Sequence, residues 1–78
     1  MNLPSRDDPR WRSIVTGTDD YSLENLSAQL VISRVRLMTW DQKEASIEKA
    51  IDVVHSFFVK NAEQTKSDLH AIFGRGLL

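Results

Sequence analysis

The sequence predicts an all-α protein, folded as an antiparallel helical hairpin with an extended N-terminal arm. Three observations carry that prediction. An apolar seam runs from Ile47 to Ile72 at helical spacing. Capping residues stand before two helical stretches. The one alternating stretch, "WRSIV", has no second strand to pair with. The hairpin helices are expected over 22–38 and 41–73, so the chain divides into an arm, 1–20, and a helical domain, 21–78.

The arm comes first. Both prolines and one of the three glycines lie within 1–20, among polar residues, and no helical period is visible there. It reads as an extended segment closing in a turn at "TGTDD". Trp11, Ile14 and Val15 are expected to pin it to the body. Arg6, Arg10 and Arg12 stand against Asp7, Asp8, Asp19 and Asp20, a mixture that suits a solvated surface.

The first helix is expected to start at Ser22, whose hydroxyl is a good acceptor for first-turn N–H groups. Tyr21 and Leu26 fit a hydrophobic staple around that cap. Two apolar stripes follow. Leu23, Leu26, Leu30 and Leu37 form one; Ala28, Val31, Val35 and Met38 form the other. Two stripes predict two neighbours, where a simple hairpin supplies only one.

The second helix is expected to begin after "MTWDQKE", with Asp41 as cap and Glu44 completing a capping box. Thr39 and Gln42 offer a competing box, and Trp40 is expected to cover the turn. Ile47, Ile51, Val54, Phe58, Ala62, Thr65, Leu69 and Ile72 then follow at spacings of four and three. Ala50, Val53 and Phe57 widen this seam, and Gly74 suits a C-cap. Unbroken, the helix would measure roughly 50 Å at a rise of about 1.5 Å per residue. Its weak stretch is 61–68, "NAEQTKSD", where a bend is expected and Ser67 offers a fresh cap.

Composition narrows the function. A chain of 78 residues makes one domain. A domain this small buries only about 60% of its unfolded surface, so it commonly needs a staple. Cysteine is absent, which removes disulfides and thiolate metal sites and leaves association as the staple. The net charge of −1 is no basic footprint for nucleic acid. Runs such as "LVI" and "FFV" are far too short to span a membrane, and no basic start leads into an apolar stretch. A cytoplasmic protein without a cofactor is expected.

Candidate sites are few. His55 stands in "VVHSFFVK" but projects to the rim of the apolar arc, beside Glu48, Asp52 and Val59. Asp52 and His55 at i, i+3, with Glu48 one turn earlier, form a weak candidate metal site. Ligands of helical di-iron bundles have this spacing but face inward. His70 is too far along the same helix to join them. Glu44, Glu48 and Asp52 repeat at i, i+4, i+8 and repel one another, so Arg34 and Arg36 are expected to offset them across the hairpin. No serine stands in an arrangement a helical hairpin would assemble into a triad. The "GRG" at 74–76 follows a helix instead of opening one, so it is no phosphate loop.

The expected function is a non-enzymatic protein–protein interaction module: an adaptor, regulator, inhibitor or accessory subunit. It would act as a homodimer, forming a four-helix bundle, or as an obligate subunit of a complex. The residues expected to meet the partner are Val31, Val35, Met38, Val54, Phe57 and Phe58, with the two phenylalanines as anchors. The alternative is a nucleic-acid-binding regulator using Arg6, Arg10, Arg12, Arg34 and Arg36. In architecture the expected plan resembles the dimeric helical hairpins that bind RNA loops, and no residue is carried over from them. A second alternative is a metal-binding bundle at Glu48, Asp52 and His55.

Overall fold

Asp8, Pro9 and Gly17 make a helix where the sequence reading expects an extended arm. Asp8 is held extended ahead of the proline, and its carboxylate accepts the Arg10 N–H at 2.9 Å. Pro9 opens the helix at a position where its missing N–H has no partner to lose. Gly17 closes it at φ 71°, with its N–H donating to the Ser13 carbonyl. Trp11, Ile14 and Val15, at i, i+3, i+4, form the buried face. The alternation in "WRSIV" is therefore helical spacing seen over too short a window.

The computed structural model describes residues 3–17 and 29–73. The elements are α1 (Pro9–Thr16), α2 (Gln29–Leu37), α3 (Glu44–Lys60) and α4 (Lys66–Phe73). The protein is all-α, with no strand among the described residues. The Ser22 cap, the Tyr21–Leu26 staple, residues 18–20 of the turn expected at 16–20 and the Gly74 cap lie outside them. So do the N-terminal part of the first expected helix and the "GRG" stretch.

The start of α3 differs from the expected cap. Asp41 stands three residues before the helix, accepting the Lys43 N–H at 3.0 Å and the Ser46 hydroxyl at 3.2 Å. Lys43 occupies the cap position with no side-chain bond. Thr39 and Gln42 form a turn instead of a box: the Gln42 N–H and its side-chain amide both donate to the Thr39 carbonyl. Gln42 sits at φ 57° to close that turn.

The second expected helix breaks where its polar stretch lies. At Asn61 both the backbone N–H and the side-chain amide donate to the Phe57 carbonyl, which closes α3. Thr65 then donates its N–H and its hydroxyl to the Asn61 carbonyl, and its own carbonyl accepts from Leu69 as α4 begins. Ser67 lies inside the first turn of α4 and is not its cap. The longest extent of the structure is 32 Å. An unbroken helix over 41–73 would need roughly 50 Å.

The break lets the core close on itself. Ile47, Ile51, Val54, Phe58, Leu69 and Ile72 of the expected seam are buried, together with Thr65. What covers the seam is α1, with Ile32 and Val35 of α2 beside it. Trp11 is at the centre: its ring lies 4.9 Å from Phe73, 5.8 Å from Phe58 and 5.2 Å from His55. Its indole N–H donates to the Pro4 carbonyl, so no buried donor is left over. The seam, expected to lie open to a second copy, is covered by α1 within the chain.

Candidate functional site

On α2 the inward face is Ile32 and Val35, continued by Thr39 just beyond the helix. Leu30 and Leu37 project roughly opposite to Ile32, at about 100° per residue. Each is 73% exposed, and Trp40, in the turn that follows, is 86% exposed. A tryptophan that left to water does not cover the turn as expected. Among the described residues these three are the most exposed of the large apolar side chains. The i, i+7 spacing sets the leucines two turns apart on one helix face.

Arg34 lies between the leucines on that outer side and is exposed. Among the described residues it has no carboxylate partner. Arg36 turns inward. Its Nε donates to the Ile14 carbonyl at 2.9 Å, and the Thr39 hydroxyl donates to the Arg36 carbonyl at 2.8 Å with the Val15 carbonyl 3.3 Å away. Arg36 thereby satisfies a carbonyl at the C-terminal end of α1 that has no partner within the helix, and the cation suits that end of the dipole.

The carboxylates of α3 are offset, though not by the arginines expected. Arg6 reaches Glu48 and Asp52, and also donates to the Glu48 carbonyl at 3.0 Å. Arg12 bridges Glu44 and Glu48. The expected pairing through Arg34 and Arg36 is therefore corrected. The segment carrying Arg6 and the helix carrying Arg12 lie along α3, whereas Arg36 is engaged on α1. Hydrogen bonding to Arg12 holds the Glu44 carboxyl below the ordinary carboxylate range. The Asp52 carboxyl is lowered chiefly by its hydrogen bond to Arg6, with a smaller contribution from His55. Asp8 is lowered by hydrogen bonds from the Arg10 side chain and backbone. The Arg6 and Arg12 guanidiniums are held even more firmly charged.

These pairings decide the fate of the other expected sites. Of the six residues expected to meet a partner, Val35, Val54 and Phe58 are buried in the chain's own core. Val31, Met38 and Phe57 are only partly exposed and pack against that core. The apolar surface to spare on α2 is at Leu30 and Leu37, not at Val31, Val35 and Met38. Of the five arginines expected for nucleic acid, Arg6, Arg10 and Arg12 are paired with carboxylates and Arg36 holds a carbonyl. Arg10 also lies 5.1 Å above the Phe73 ring. A paired arginine offers little net positive potential, so of these five Arg34 alone presents an uncompensated charge among the described residues.

His55 is at the rim, as its projection indicates, but its neighbour there is the Trp11 ring, met edge-on. Glu48 and Asp52 are engaged by Arg6, and no three His, Cys, Asp or Glu side chains among the described residues converge to hold a metal. A hollow of about 250 Å³ lies over Val59–Gln64 at the end of α3, lined by that one continuous stretch. None of the described helices is long and apolar enough to cross a membrane. Comparison with protein-family models, with curated proteins and with solved structures finds no match for this chain.

Proposed function

We propose that this chain is a small, non-enzymatic protein–protein interaction module whose contact surface is the outer face of α2 together with Trp40. One observation carries the reading: Leu30, Leu37 and Trp40 are exposed, outside the core that the described residues form. An exposed tryptophan following two exposed leucines is costly to leave hydrated, and aromatic anchors of this kind are the usual centres of protein contacts. The role is that of an adaptor, regulator, inhibitor or accessory subunit. The carboxylates of α3, Glu44, Glu48 and Asp52, are occupied by Arg6 and Arg12, which suits a structural role for them in this reading.

The test separates contact from folding. A Leu30→Ser, Leu37→Ser, Trp40→Ser variant should keep the helicity and melting temperature of the parent, because these side chains contribute little to the core. It should lose the complex that the parent forms with its partner, measured by co-elution from the native cell. A variant that unfolds, or that co-elutes as the parent does, would sink the reading.

A further inference from the structure

The outer face of α2 carries a positive charge that no carboxylate among the described residues meets. The chain as a whole carries a net charge of −1. Over 29–43, "QLVISRVRLMTWDQK", the cations are Arg34, Arg36 and Lys43 and the acid is Asp41; Arg36 is turned inward onto the Ile14 carbonyl, so Arg34 is the cation of the outer face. That acid is drawn toward the start of α3, where its carboxylate accepts from the Lys43 N–H and the Ser46 hydroxyl. Arg34, between Leu30 and Leu37, keeps its charge at the middle of the apolar face with no carboxylate partner among the described residues.

A second copy of this chain is a poor occupant. In a two-fold contact, whatever lies at the centre meets its own image. The centre between Leu30 and Leu37 is Ser33 and Arg34, so two guanidiniums would oppose each other across a closing apolar seam.

Resting on the interaction reading above, we infer that this face binds a short amphipathic helix of another protein, one whose apolar stripe is flanked by glutamate or aspartate. Leucine-class side chains two turns apart pack between Leu30 and Leu37, and Trp40 closes one end of the contact. An acidic residue beside the stripe meets Arg34. The recognition mode is a helix laid along a helix face, with apolar anchors supplying affinity and charge supplying selection.

The experiment uses the full chain and two synthetic helical peptides of about 18 residues, five turns long. Both carry leucine at heptad seam positions; one has glutamate on the flanks and the other lysine. Binding is read by the anisotropy of a fluorescent label on the peptide. The acidic peptide should bind at least about tenfold more tightly than the basic one at low salt, and the gap should narrow as salt is raised. Arg34→Glu should reverse the preference, and Leu30→Ser with Leu37→Ser should abolish binding of either peptide at unchanged circular dichroism. Equal, leucine-dependent binding of both peptides would overturn the acidic partner while leaving the interaction face standing. Binding of neither would overturn the helix-on-helix mode, and the co-elution test then decides the face separately. Two further results would also overturn the inference. One is a concentration-dependent dimer that the leucine variant abolishes, which assigns the face to a second copy. The other is a blue shift of tryptophan emission on phosphatidylglycerol vesicles without peptide binding, which assigns it to a lipid surface.

Discussion

Trp11 and Gly17 show how much of this molecule rests on single residues. Trp11 is wholly buried and its ring meets residues of both α3 and α4. Truncating a buried aromatic to alanine costs about 3–5 kcal/mol. A domain's whole stability is only about 5–15 kcal/mol. Trp11→Ala is therefore expected to leave the protein largely unfolded at 37 °C by circular dichroism. Trp11→Phe keeps most of the contacts but leaves the Pro4 carbonyl without its donor, a loss of about 1 kcal/mol from the bond, with a further contribution from the smaller ring. Its melting temperature should fall measurably and remain well above that of the alanine variant. Gly17 is a question of backbone alone. A Cβ there would stand 3.6 Å from the Arg36 Nε, an ordinary contact, while φ 71° is a strained angle for alanine. Gly17→Ala should cost about 1–2 kcal/mol, read as a lower denaturant midpoint at unchanged slope. An unchanged midpoint would mean that α1 does not end on a left-handed residue in solution.

At the scale of elements, two joins carry predictions. The first ties the N-terminal segment and α1 to α3 through Arg6, Arg12, Glu44, Glu48 and Asp52. Folding lowers the carboxyls of Glu44 and Asp52, so their contribution is complete above the ordinary carboxylate range. It is lost as pH falls from about 4 through the lowered folded-state values. Comparison of denaturant stability at neutral pH and near pH 3 should show a larger acid loss in the parent than in Arg6→Gln, Arg12→Gln. High salt should shrink the difference. Equal losses would mean that these pairs do not persist in solution. The second join is the break between α3 and α4. The amides of Ala62, Glu63 and Gln64 should exchange with deuterium faster than those of 51–59 and 69–72. Protection running evenly through 61–65 would restore the single long helix. The sequence makes the break legible as a polar stretch, but not its consequence. Only the hydrogen bonds of Asn61 and Thr65 reveal a chain that turns and brings Phe73 onto Trp11.

The whole molecule decides which apolar surface is spare. Part of the expected need for association, the open seam of the second helix, came from treating α1 as an arm; the small size of the chain and the two stripes of the first expected helix were the rest. With a helix there, the seam from Ile47 to Ile72 is covered within one chain, and Val35, Val54 and Phe58 belong to the fold and not to a partner. Light scattering at micromolar concentration is accordingly expected to report a monomer, with melting independent of concentration. A dimer whose melting temperature rises with concentration would return the four-helix bundle.

The sequence by itself determined the all-α class, the core positions of α3 and α4, the rim position of His55, and the presence of two apolar stripes on α2. These follow from periodicity, which is a local property of neighbouring residues along one helix. The tertiary structure decided which stripe is buried, which arginine meets which carboxylate, and that Trp11 is the centre of the core. Those depend on where α1 packs, and a helix of eight residues shows too few turns for its period to stand out. Its signature was present in the Asp8-Pro9 start, the spacing of Trp11, Ile14 and Val15, and the Gly17 stop. Short helices acquire their stability from the surface they cover. That surface exists only once the chain has folded, and it leaves Leu30, Leu37 and Trp40 facing out.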